Sequence, residues 1–180
     1  LLFVNEPSSP SPGPLRPRLG DARLLPSRYW LTVLLGGVFA LARFSEAFLI
    51  LRARDAGLGI SWVPLVMIVM NLCYAAGAYP AGAAADRVNH RSLILSGIML
   101  LIAADLTLAL APGPGLVFAG TALWGLHLAF TQGLLAKLVA DSVPARLLGT
   151  GFGIYNLVNG LALLLASVIA GSLWSLIGAQ

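Results

Sequence analysis

The run FALARFSEAFLILR, residues 39–52, sets an arginine and a glutamate among side chains suited to hydrocarbon. Arg43 and Glu46 are three positions apart, about 60° around an α-helix, so on an unbroken helix they share a face and can pair. In a membrane span over residues 29–51, Arg43 falls about 4–5 Å from the middle and Glu46 about 9 Å, at about 1.5 Å per residue. An unpaired charge at that depth costs several kcal/mol, so this face must turn toward protein or water. Two readings follow. The pair is a salt bridge that locks a bundle, or it is a substrate or proton site. In the second, Glu46 takes the proton, and Arg43 is its partner or the anchor for an anionic substrate group.

A second constellation is Trp124, His127 and Thr131, spaced three and four apart on one helix face, with Gln132 to its side. Imidazole titrates near neutrality, so His127 can bind substrate or relay protons; equally, it can be a neutral hydrogen-bonding residue between helices. Asp105 also falls inside an apolar span. Its expected role is structural, protonated or paired, with Arg43 as one possible partner. His127 has no second His nearby, and the single Cys, Cys73, sits in an apolar run. Neither a metal site nor a disulfide framework is implied. Without a Ser or Cys nucleophile motif, no catalytic residue and no cofactor are expected, and the chain does not read as an enzyme.

Composition says what must position these groups. Of the 180 residues, 58% are hydrophobic and 10% charged, and the mean hydropathy is +0.89. Soluble domains carry about 25% charged residues, so the chain belongs in a membrane as an all-α, multi-pass protein. Five spans of about 20 apolar residues are expected, at 29–51, 62–81, 92–111, 115–137 and 149–175. The breaks between them, RARDAGLGIS, GAAADRVNHR, APGPG and ADSVPARLL, carry the Gly, Pro or charge that ends a hydrophobic helix. Residues 1–4 read as the end of a truncated helix. Residues 5–28, rich in Pro, Ser and Arg, read as an aqueous linker, and 29–180 as the transmembrane bundle.

Basic residues fix the orientation. Arg16, Arg18, Arg23, Arg28, Arg87, Arg91, Lys137 and Arg146 fall on one side of the spans, against Arg52 and Arg54 on the other. The first side is therefore cytoplasmic. The net charge of +4 is modest, and nothing in its distribution points to nucleic acid. One Lys among 11 basic residues, with heavy Ala, Gly and Leu usage, points to a high-GC bacterial gene, and so to a cytoplasmic (inner) membrane.

The cytoplasmic stretch YPAGAAADR, continuing to VNHR, resembles the G-x-x-x-D-R-x-G-R-R loop of the major facilitator superfamily. Gly82, Asp86, Arg87 and Arg91 match. Asn89 replaces the second glycine, where a left-handed conformation would suit Asn, and His90 replaces the first closing basic residue. DSVPARLLGTGFGIYNLVNGLALLLASVIAGSLW, residues 141–174, is similar to the loop and eleventh helix of many members. A long linker precedes helix seven in that family, so the five spans resemble helices seven to eleven. The resemblance implies the C-terminal half of a twelve-helix transporter, with its last helix and its N-terminal half absent.

It also implies roles. The first and fourth spans, as helices seven and ten, would line the central cavity, making Arg43, Glu46, Trp124, His127 and Gln132 substrate or proton residues. The third, as helix nine, would support from outside. The second and fifth, as helices eight and eleven, would face the other half through Asn71 and Tyr74, and through Asn156 and Asn159. Gly149, Gly153, Asn156 and Gly160 form a small-residue stripe, used for fixed packing or for a sliding interface. The 82–91 loop would latch the cytoplasmic side, Asp86 docking at a helix N-terminus of the other half. The expected function is transport of a small organic solute, coupled to protons. A polytopic membrane enzyme using His127, Glu46 or Asp105, and a non-transporting scaffold of the same fold, remain open.

Overall fold

The computed structural model describes residues 19–177. Residues 1–4, most of the 5–28 linker and the last three residues lie outside that range. Among the described residues the chain is a helical bundle: α1 (Ser27–Ala42), α2 (Ala47–Asp55), α3 (Val63–Ala85), α4 (His90–Ala109), α5 (Pro114–Ser142) and α6 (Leu148–Ile177), with single turns of 3-10 helix between some of them. Five stretches are long and apolar enough to cross a membrane, α1 and α2 together making the first, Ser27–Asp55.

Local chemistry sets the ends. Pro64 and Pro114 occupy first-turn positions of α3 and α5, where a missing N–H costs nothing. Gly57, at φ +89°, closes α2. The Leu58 amide reaches back to the Ala53 carbonyl there, a wrap that needs a left-handed residue. Asn89 caps α4 by accepting from the Arg91 amide at 3.0 Å. Its φ of −58° corrects the expected left-handed turn: a polar side chain that ends one helix and starts the next needs no positive φ. Gly82 likewise lies inside the last turn of α3 and not in the loop.

α5 is the hub. It packs along α3 and α4 and also touches α1, α2 and α6, and half of its most apolar stretch is buried. Small residues make this possible, because in lipid close packing rather than water exclusion drives helix association. A Cβ at Gly77 would fall 2.9 Å from that of Ala129, and one at Gly120 would fall 2.7 Å from the Leu108 side chain. One core joins Leu49, Val66, Met70, Leu101, Ala104, Val117 and Trp124 of α2, α3, α4 and α5. A second joins Leu25, Tyr29 and Val33 to Val139, Val143 and Leu147 at the opposite pole of the first span. There the buried Tyr29 hydroxyl donates to the Gly151 carbonyl at 2.9 Å, tying α1 to α6.

The first span departs from expectation. Residues 43–46 are not helical: Arg43 is extended at φ −118°, ψ 143°, and the chain turns back into helix only at Ala47. Arg43 and Glu46 therefore do not share a helix face, and they form no ion pair. Asp105 forms none with Arg43 either; it is half-buried on α4 with Oδ1 unpartnered among the described residues. The restart has a local cause: the Ser45 hydroxyl accepts from the Ala47 amide at 3.4 Å, and Glu46 stands at the new N-terminus, the pattern that favours a helix start.

Candidate functional site

Backbone that is not helical at membrane depth is tolerated where it is buried in protein or lines a cavity. Such a cavity lies beside the break. It has a volume of about 320 Å³ and is walled by α1, α5 and α6, near the lower edge of the roughly 300–1,000 Å³ typical of ligand pockets. Arg43, His127, Gln132, Asn156 and Asn159 line it together with Thr131 and Tyr155. Five residues expected at a functional position are thus brought to one place.

Their geometry is set by close helix crossings. At Gly36 an added Cβ would stand 2.6 Å from the Tyr155 ring and 3.1 Å from the Asn159 amide, so the absence of a side chain lets α6 present both beside α1. At Gly97 an added Cβ would collide with the Thr131 methyl. That close approach of α4 to α5 lets the His127 ring reach the Gly97 carbonyl, with Nδ1 2.8 Å away. A carbonyl only accepts, so Nδ1 carries the proton. The ring is fully buried and Nε2 has no partner among the described residues. Thr131 donates its hydroxyl to the His127 carbonyl at 2.8 Å. Asn159 donates from Nδ2 to the Tyr155 carbonyl at 2.8 Å, leaving Oδ1 as an acceptor. Arg43 makes no ion pair with a described residue.

Trp124 and Glu46 are placed differently. Trp124 is fully buried one turn from His127. It packs against Phe44 of the break, ring centroids 4.8 Å apart, and is not among the cavity-lining residues. Glu46 is half-buried at the start of α2 and also stands off the cavity. Asn71 is exposed and donates to the Met67 carbonyl of its own helix at 2.8 Å, whereas Tyr74 is half-buried against the main core. Gly149, Gly153 and Gly160 meet nothing within 4 Å of an added Cβ. The stripe therefore does not serve packing among the described residues.

At the cytoplasmic end, Asp86 pairs with Lys137 of α5, and Lys137 also donates to the Ala85 carbonyl at 3.3 Å. The hydrogen bond from Lys137, followed by its charge, holds the Asp86 carboxyl below the usual carboxylate range. Its partner among the described residues is a side chain of this chain. Arg87 and Arg91 are exposed beside it. At the other end, Arg52 donates to the carbonyls of Leu108, Ala109 and Ala111 at 2.8, 3.1 and 2.9 Å. It caps the C-terminus of α4 from α2, a role the sequence showed only as a charge on the less basic side.

Comparison with known sequences agrees with this architecture: a profile described as Major Facilitator Superfamily matches residues 32–180. The chain belongs to that superfamily. It is 30% identical over 182 residues to a Methanocaldococcus jannaschii protein named as an uncharacterized MFS-type transporter. That match takes in 98% of this chain and 46% of the relative, so the chain spans about half the length of the curated relative it matches. No solved structure matches it. As a superfamily member with five apolar helical spans, it is a multi-pass membrane protein.

Proposed function

We propose that the chain is the C-terminal half of a secondary transporter that moves a small organic solute across a cytoplasmic, bacterial membrane by alternating access, coupled to protons. The observation that carries this reading is the broken first span: a helix interrupted within its membrane segment, opening an intramembrane arginine onto a polar cavity. Discontinuous helices are how transporters build midplane sites. Arg43, His127, Gln132, Asn156 and Asn159 contact the solute. Glu46, at the restart of α2, carries the coupling proton, and Trp124 holds the break in place through Phe44.

The face that bears Gly149 and Gly153, with the exposed Asn71, meets the other half of the transporter and slides on it. The 82–91 loop acts as the cytoplasmic latch: Asp86 exchanges between Lys137 and a helix end of the other half as the bundles rock. Superfamily membership supports a transporter over an enzyme.

The test uses the full-length protein in vesicles loaded with a pH-sensitive dye, under an imposed proton gradient, with fractionated small metabolites added outside. Solute-dependent dissipation of the gradient is expected. Glu46→Gln is expected to keep solute exchange and lose accumulation; accumulation at the wild-type level overturns the coupling role. No solute-dependent flux from any fraction overturns transport itself.

A further inference from the structure

We infer that the cavity takes a small hydroxylated carboxylate, its carboxylate on Arg43 and its hydroxyl donating to the free acceptor Oδ1 of Asn159. This deepens the transport reading and rests on it.

The charge balance selects an anion. Among the described residues, Arg43 is the charged one lining the cavity, no Asp or Glu lines it, and Glu46, the nearest carboxylate in sequence, stands off it without an ion pair. A guanidinium presents donors in a planar fork that matches a carboxylate, and it cannot shed its charge to escape the cost of burial. An arginine within a membrane span with no ion pair among the described residues therefore favours an incoming anion.

The other polar groups select what the anion must carry. Nδ1 of His127 is committed to the Gly97 carbonyl and the ring is fully buried, so His127 offers the ligand no donor. Nδ2 of Asn159 donates to the Tyr155 carbonyl, so Oδ1 is left to offer lone pairs. That fixed bond orients Oδ1 of the half-buried Asn159 as an acceptor, and a ligand that covers it without a donor loses a hydrogen bond. A ligand hydroxyl supplies that donor without adding charge. An ammonium would bring a second positive charge beside Arg43 with no lining carboxylate to offset it, which ranks hydroxy acids above amino acids.

The experiment is titration calorimetry on the full-length protein in nanodiscs with four probes of similar size: lactate, propionate, lactamide and alanine. Lactate is expected to bind best. Propionate, lacking the hydroxyl, is expected to bind up to about tenfold more weakly, the scale of one hydrogen bond; lactamide, lacking the charge, more weakly still. Arg43→Lys, which keeps the charge and loses the fork, is expected to weaken lactate and propionate alike. Asn159→Leu is expected to narrow the gap between lactate and propionate while leaving propionate unchanged.

Equal binding of lactamide and lactate overturns the inference, as does preference for alanine, equal binding of lactate and propionate, or no binding of either acid. These wild-type comparisons stand even if a variant fails to fold. If the vesicles show solute-driven proton flux while neither acid binds, the transport reading survives and this one falls. If no solute moves at all, the transport reading falls separately.

Discussion

Gly125→Ala should loosen the contact between α3 and α5, and its size can be worked from two opposing effects. Alanine is favoured over glycine in a helix interior by about 1 kcal/mol. Against that, the added Cβ would collide with the Met70 carbonyl oxygen and stand 3.1 Å from both the Met70 carbonyl carbon and the Cys73 Cβ. Those are backbone and first side-chain atoms, which no rotamer change can move, so relief requires the helices to part. Overpacking of this kind costs about 1–3 kcal/mol, and the rigid obstacle puts this site at the upper end. The net loss is about 2 kcal/mol, and at roughly 2–4 °C per kcal/mol the melting temperature should fall by about 4–8 °C. Gly133→Ala is the control: same helix, but nothing within 4 Å of the added atom, so only the propensity gain acts. Cys73 is the one cysteine of the chain and lies at the contact, so its reaction with a thiol-reactive fluorophore on heating reports the separation directly. Gly125→Ala should label faster and at lower temperature than the wild type, and Gly133→Ala should not. A Gly125→Ala protein that melts at or above the wild-type temperature would refute the claim that α3 and α5 meet backbone to backbone here.

Three further outcomes are expected. Arg52→Ala leaves three carbonyls at the end of α4 without their shared donor; it should cost about 1–2 kcal/mol, since the site is part-exposed, with Arg52→Lys recovering part of the loss in the same melting assay, and equal melting of all three proteins would dismiss the cap. Asp86→Asn should slow transport while leaving membrane insertion intact, so wild-type turnover in a well-inserted variant would remove the latch. Because the Asp86 carboxyl is held below the usual range by Lys137, its contribution is present above the ordinary carboxylate pKa and is lost only as pH falls through the lowered value; the latch should therefore respond alike at about pH 6 and pH 8. Gly153→Ala meets open space, so it should leave the chain's melting unchanged or slightly raised while slowing transport, and unchanged transport would argue against a sliding stripe.

Much of the fold was legible in the sequence because membrane crossing imposes a signal that survives averaging. Twenty apolar residues in a row, with arginines gathered at alternate ends, leave few other arrangements. The loop carrying Gly82, Asp86, Arg87 and Arg91 then supplied the family, and its profile match bears that out. Long-range capping was not legible. The carbonyls that Arg52 meets lie 56 to 59 residues away, and their availability depends on where α4 stops. Nor was the pairing of Lys137 with Asp86, 51 residues apart, since a basic residue at a cytoplasmic helix end reads first as orientation. The break in the first span did leave a trace. A Ser followed by Glu in front of AFLIL is a helix-start pattern, but it lies inside a hydropathy window that reads straight through it.

That break changes what the two charges mean. On an unbroken helix, Arg43 and Glu46 neutralise each other and the span becomes a rigid post. With residues 43–46 outside the helices, the two fall on separate pieces that are anchored differently. α1 is held to α6 through Tyr29 and Gly151, while α2 is held to α4 through Arg52 and shares the core of α3 and α5. The cavity sits where these two groups of helices meet, with Arg43 on its α1 wall. On the proposed reading, an arginine without an ion pair among the described residues is stabilised by the anion that enters, the more so when α1, α5 and α6 close around it. A solute bound at Arg43 would then act as a mechanical lever: a ligand that prefers the closed seam would shift the bundle toward it, by no more than its difference in affinity between the two states.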